Sequence, residues 1–178
     1  MMKWIAFSIA ATSLVGCGFS GDQSDNRNGL DTLTVQERRE MLIESNRRRV
    51  QAESNQIQAY IDTSGLAWET SASGIAYRII EAGDGEAIQS EDVIPYSYEV
   101  RLLDDELVMK GGTKNKPEII RVNKDNNGVI GLHRAMLELN RGDSAAVLLS
   151  SDLAWGVAGS PEGVPPLSCV LYYLRIQE

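Results

Sequence analysis

The 178-residue chain is 43% apolar and 24% charged, enough to bury one ordinary core, and its length predicts a single domain with additions. Acidic residues outnumber basic ones 25 to 17 for a net charge of −8, which argues against a nucleic-acid module with its counterion-displacing basic stripe. One histidine and two cysteines leave little room for a His/Cys metal cage, or for a Ser-His-Asp triad unless it rests on His133.

Residues 1–17 read as an export signal. Lys3 supplies a short positive end, and Trp4 to Val15 form an apolar run too short to anchor the chain across a bilayer. The run closes on Leu14-Val15-Gly16-Cys17, which resembles the bacterial lipobox and so implies lipidation of Cys17. Each acyl CH₂ buried in the membrane adds about 0.8 kcal/mol, so two or three chains hold a protein stably. With Cys17 lipidated, Cys169 has no intrachain disulfide partner and is expected to pack as a small hydrophobe in a strand.

Gly18 to Asp31 contain almost nothing to bury, and residues 18–33 read as a flexible tether reaching about 20 Å from the bilayer. Thr34-Val35-Gln36-Glu37 is a T-x-x-E capping box, and a helix is expected over 34–64, stopped by Ser64-Gly65. Its apolar stripe is thin. Ile43, Val50 and Ile57 recur every seven residues, joined by Ile61, a seam that pairs with another helix or lies on the domain. A homodimer through residues 34–64 is one arrangement this allows. Arg47-Arg48-Arg49 sits among glutamates and reads as a solvated face rather than a headgroup site.

From residue 72 the period shortens. Ile75 to Ile80 predicts a strand turned by Gly83-Asp84-Gly85, and a long strand follows over Val93 to Leu103. Asp104-Asp105-Glu106 reads as a polar hairpin turn rather than a cation site, with Leu107 to Met109 returning. Pro117 to Val122 is a further strand, Val129 to Leu139 carries a helical pattern, and Ala145–Leu149 and Val170–Leu174 complete a mostly antiparallel sheet. Strands wrapped around one short helix make an α+β domain over 72–178.

Six pieces of this region stand in a recognisable order: Tyr98; Val129-Ile130-Gly131-Leu132; Leu139-Asn140-Arg141-Gly142-Asp143; Asp152-Leu153-Ala154-Trp155-Gly156; Gly159; and Val164-Pro165-Pro166. Together they resemble the FKBP-type peptidyl-prolyl isomerases. With the lipobox and the long helix, the chain is similar to gliding-motility-associated FKBP-type lipoproteins of Bacteroidetes-type bacteria. The resemblance implies an FKBP-like antiparallel sheet around a short helix, preceded by the long N-terminal helix. It implies rotation of X-Pro bonds in exported polypeptides, without cofactor or metal, from a lipid-anchored position at the envelope. Gly18 after Cys17 carries no clear inner-membrane retention signal, which points to the outer membrane, facing the periplasm, and the acidic balance argues against a nucleic-acid partner.

Carried over residue by residue, the resemblance makes Tyr98, Trp155 and Tyr172 the catalytic aromatics. Val129 would offer its backbone N–H to a ligand carbonyl, Leu132 would form the pocket base and Val164 an apolar wall. Three positions depart from the family pattern. Val108-Met109 replaces the usual Phe-Asp pair, Glu118 or Ile119 falls where an aromatic wall is usual, and Ser160 stands at the flap His. These departures keep a second reading open, an FKBP-shaped binding subunit of a gliding or secretion complex. His133, following Leu132, is expected on the surface.

Overall fold

The computed structural model describes residues 33–178 apart from Asn127. The signal segment, Cys17 and the tether up to residue 32 lie outside the described residues. Two units divide after Met41. In the first, the described part is the start of helix α1 (Val35–Ser64) and its cap. Glu37 Oε2 accepts from the Thr34 N–H at 2.7 Å and Thr34 Oγ1 accepts from the Glu37 N–H at 3.2 Å, so two orphan amides are satisfied reciprocally.

The second unit, Leu42–Glu178, holds the rest of α1 and the sheet. No Gly or Pro interrupts α1, and Gly65 ends it in the left-handed region (φ 64°), which costs glycine no Cβ clash. The strands are β1 (Glu69–Thr70), β2 (Ala76–Glu81), β3 (Val93–Leu102), β4 (Leu107–Gly111), β5 (Glu118–Arg121), β6 (Ser144–Leu149) and β7 (Val170–Ile176). They pair antiparallel in the order β1-β2-β6-β7-β3-β4, with β5 also on β3. Helix α2 (Ile130–Met136) lies between β5 and β6 in sequence.

Strand periodicity sends alternate residues to opposite faces, and both faces are used. Val100, Val147, Val170, Tyr172, Leu174 and Ile176 face α2, whose Leu132, Ala135 and Met136 close the main core with Leu139. On the other face Ala76, Ala146, Leu148 and Leu171 are covered by Ile57, Tyr60 and Ile61 of α1 with Trp68. A leucine buried this way contributes about 1.5–3 kcal/mol. Ile57 and Ile61 of the heptad stripe are therefore engaged within the chain, whereas Ile43 and Val50 stay exposed.

Helix α2 is shorter than its apolar pattern. Leu137 is its C-cap, and Glu138 and Leu139 bond three residues back rather than four, tightening the exit toward Asn140. The buried Asp143 carboxylate then accepts the Asn140 and Gly83 amides, both at 2.7 Å, fastening this exit to the β2–β3 turn.

Cys169 is buried immediately before β7. Burial, with the Glu53 carboxylate nearby, pushes its thiol up to about 11. The unfolded thiol ionises first, near 9, so this contribution to stability is complete below that value and is lost as pH rises toward 11. In a Cys17→Ser chain, Cys169 is expected to be silent to a thiol-specific chromogenic reagent at pH 8 until denaturant is added. Rapid reaction of the native protein would contradict this burial.

Candidate functional site

The aromatic content is only 6%, yet four rings converge at one place. Tyr96 and Tyr98 lie two apart on β3 and so share a face, with centroids 5.6 Å apart. Tyr172 on β7 is paired with Val100, which sets its ring diagonal to Tyr98 at 5.9 Å. Trp155 stacks on Tyr172 from the other side, at 6.0 Å and 9° between planes.

These rings bound a cavity of about 600 Å³, a size suited to a small organic group. Val129 and Leu132 close it from the start of α2, Met109 and Glu118 from β4 and β5, and Glu162 from the loop before β7. Of the residues expected from the sequence, Tyr98, Trp155, Tyr172, Val129 and Leu132 are thus gathered in one cavity. Val164 is not among its lining residues; it is fully packed in the main core beside them. The Pro165-Pro166 pair that follows is exposed and leads into a turn, whereas Val164 gains more by burial than by facing a solvated opening.

Two glycines allow the close approaches. A Cβ on Gly111 would lie 2.5 Å from Tyr98 Cε1, so the bare backbone of β4 leaves the ring its berth. A Cβ on Gly131 would lie 2.7 Å from the Leu149 methyls and from the Leu153 carbonyl, so α2 can sit against the turn that leads to Trp155.

The Tyr98 hydroxyl points at sulfur, donating to Met109 Sδ at 3.6 Å. A thioether is a weak acceptor, which leaves the hydroxyl little tied. Burial, with Glu118 and Glu162 nearby, holds the phenol above its ordinary range, so it remains a neutral donor. Glu118 takes the position open between Glu118 and Ile119, since Ile119 is exposed and outside the cavity. Ser160 holds Glu162 by a hydroxyl–carboxylate bond, and the Glu162 carboxyl titrates below its usual range, chiefly because of that bond.

Val129 is the N-cap of α2, with extended backbone (φ −81°, ψ 156°) and no side-chain cap. Among the described residues its N–H has no acceptor. His133 corrects the surface expectation: it is 6% exposed, and its Nδ1 accepts the Asn123 amide at 3.0 Å. Asn123 adopts φ 60°, and that left-handed turn aims the amide at the ring, a geometry no local pattern announces.

One participant was not expected from the sequence, although Glu53 falls four residues before Ile57 on the same face of α1. The turn between β6 and Trp155 is a 3₁₀ helix, Ser151–Leu153, and the buried Ser151 is bonded to Glu53 of α1, 98 residues away.

The comparisons with known proteins agree with this geometry. The family model described as "FKBP-type peptidyl-prolyl cis-trans isomerase" matches residues 84–177, just over half of the chain. The chain is 30% identical over 109 residues to the "FKBP-type peptidyl-prolyl cis-trans isomerase FkpA" of Escherichia coli K12, an overlap of 61% of this chain. It spans only 38% of that curated relative. The crystal structure of FkpA from Escherichia coli superposes with TM-score 0.60 at 22% identity, covering 83% of this chain and 73% of that one. A peptidyl-prolyl cis-trans isomerase structure from Pseudomonas syringae pv. tomato gives TM-score 0.61 at 17% identity, covering 74% and 93%. The structural likenesses show the fold, α+β with an antiparallel sheet around a short helix, and the match over 84–177 shows the lineage: the chain belongs to the FKBP-type peptidyl-prolyl cis-trans isomerase family.

Proposed function

We propose that this protein is a peptidyl-prolyl cis-trans isomerase that assists folding of exported envelope proteins, held to the bacterial envelope by lipid on Cys17. The observation that carries the reading is the four-ring cradle of Tyr96, Tyr98, Tyr172 and Trp155 around a cavity with room for a proline ring and its flanking peptide. Rotation about a peptide bond meets a barrier of about 18–20 kcal/mol because twisting breaks amide resonance. The uncatalysed X-Pro exchange accordingly takes tens to hundreds of seconds. No nucleophile is needed to lower it. A cradle that excludes water and holds the pyrrolidine ring favours the twisted amide over the planar one, and donors nearby receive its carbonyl. In this reading the rings bind proline, Leu132 forms the floor, and the N–H of Val129 and the neutral Tyr98 hydroxyl serve as donors.

The test is a protease-coupled assay on X-Pro peptides with the chain purified without its signal segment. Acceleration over the uncatalysed rate is expected, and its absence at micromolar protein counts against the activity. One observation favours a second reading, a non-catalytic binding subunit of a membrane-associated gliding or secretion complex. Met109 places a thioether, not a carboxylate, against the Tyr98 hydroxyl. Proline peptides that shift Trp155 fluorescence without turnover would select it.

The lipobox supports anchoring at the envelope, on the outer membrane facing the periplasm, since Gly18 after the cysteine carries no inner-membrane retention signal. Among the described residues no helix is long and apolar enough to cross a membrane. Cys17→Ser is expected to move the protein from the membrane to the soluble or unprocessed fraction. Palmitate labelling that persists in that variant would overturn the anchor.

A further inference from the structure

Helix α1 docks on the sheet through apolar side chains, but the one residue it buries fully is a carboxylate. Glu53 is 5% exposed. Its Oε2 accepts the Ser151 amide at 2.9 Å and its Oε1 accepts the Ser151 hydroxyl at 2.7 Å. Arg49, one turn earlier on α1, completes the cluster. Its Nη1 reaches Asp152 Oδ1 at 2.9 Å, Ser151 Oγ at 3.1 Å and Glu53 Oε1 at 3.4 Å. A helix that needed only to cover the sheet would do so with an apolar residue here, because burying a charge costs free energy that apolar packing does not. Two charge-assisted bonds to one residue do what apolar packing cannot: they fix that residue's position and orientation.

What Ser151 fixes in turn is the pocket wall. Its carbonyl accepts from the Ala154 amide at 3.0 Å and the Gly156 amide at 2.8 Å. These are the two chain neighbours of Trp155. The indole that stacks on Tyr172 is therefore suspended from Ser151, and Ser151 from Glu53.

We propose that Glu53 is a positioning residue for the proline pocket: through Ser151 it sets where Trp155 stands, which makes α1 a working part of the site rather than a spacer between anchor and domain. The proposal rests on the isomerase reading for its substrate but not for its geometry.

The test compares Glu53→Ala, Glu53→Gln, Arg49→Met and Ile57→Ala in the full-length chain in detergent. The readouts are X-Pro isomerisation split into kcat and KM, proline-peptide affinity, Tm, and the Trp155 indole N–H resonance assigned by Trp155→Phe. For Glu53→Ala we expect kcat/KM to fall about tenfold, since small misplacement of a positioning group is amplified in the rate. The Trp155 resonance should shift or broaden. Glu53→Gln keeps an acceptor for the Ser151 amide and should recover most of the loss, with Arg49→Met intermediate. Ile57→Ala loosens the same helix without touching Ser151; it should lower Tm yet leave kcat/KM and the Trp155 resonance as in wild type.

A folded Glu53→Ala chain with wild-type kinetics and an unmoved Trp155 signal overturns the proposal. So does an Ile57→Ala chain that reproduces the same losses, because the effect is then helix docking alone. Should Glu53→Ala fail to fold, Arg49→Met decides by the same signals: wild-type kinetics with an unmoved Trp155 resonance in that variant refute the positioning role. A wild type without turnover would remove the isomerase reading, while peptide affinity and the indole resonance would still judge Glu53.

Discussion

Trp155→Ala is expected to lower kcat/KM toward X-Pro peptides at least about tenfold, equivalent to about 1.4 kcal/mol of transition-state stabilisation. The indole lines the cavity, stacked on Tyr172 at 6.0 Å. Removing it opens that side to water and deletes apolar contact worth about 25 cal/mol per Å². The fold should tolerate the loss. Trp155 is half-buried at the edge of the core, and its backbone is held by the bonds of Ala154 and Gly156 to Ser151, which alanine leaves intact. An aromatic pair contributes about 0.5–1.5 kcal/mol beyond its burial, so Tm should fall by only a few degrees. Unchanged turnover in a wild-type-active background would remove Trp155 from the site. Tyr98→Phe, by contrast, keeps the ring and removes only a hydroxyl bonded to sulfur, so its effect should be smaller.

Gly111→Ala should damage both the pocket and the fold. Glycine faces Tyr98 across the β3–β4 ladder, and an added Cβ would meet Cε1, Cζ and the hydroxyl of that ring at 2.5, 2.7 and 2.8 Å. The ring cannot simply swing aside, because Tyr96 and Tyr172 flank it at 5.6 and 5.9 Å. Either β4 moves away or the ring is pushed into the cavity. Overpacking of this kind costs about 1–3 kcal/mol. Proline-peptide affinity should fall about tenfold with it, because the displaced ring occupies ligand volume. A double-mutant cycle checks the cause. Adding Tyr98→Leu should return much of the lost stability but not the affinity, because a smaller side chain relieves the clash without restoring the aromatic wall. Additive losses in stability would place the clash elsewhere.

The strands from Ala76 to Ile176 and the capping box were legible in the chain because each is a local or periodic statement, whereas the rings of the cavity were expected from the family resemblance. Alternation on β3 places Tyr96, Tyr98 and Val100 on one face whatever the partner strand, and a T-x-x-E box needs only three residues of helix to close. The family motifs supplied the spacing that brings Trp155 and Leu132 to the same cavity. What the chain alone did not announce were contacts set by irregular backbone turns or by partners far away in sequence. His133 was expected in solvent because it looked like any polar residue in a short helix. Its burial depends on the turn at Asn123, a backbone conformation rather than a pattern. Val164 lies next to the expected flap, yet it is drawn into the core.

By itself, then, the sequence determined the alternation that builds a two-faced antiparallel sheet, the helix that precedes it, and the family to which the sheet belongs. Hydrophobic period and capping act within a few residues, so they are written where they act. Only the tertiary structure decided that Glu53 is buried rather than one more glutamate on a solvated helix. The charge is satisfied by a serine 98 residues away; the i, i+4 spacing puts Glu53 on the same face of α1 as Ile57 and Ile61, but no spacing says what that face meets. Ile57 belongs to a stripe that the heptad pattern leaves open to a partner helix or to the domain, and the sheet takes it for its second core. Burial is a property of what a residue meets, and a helix learns what it meets only when the sheet beneath it has formed.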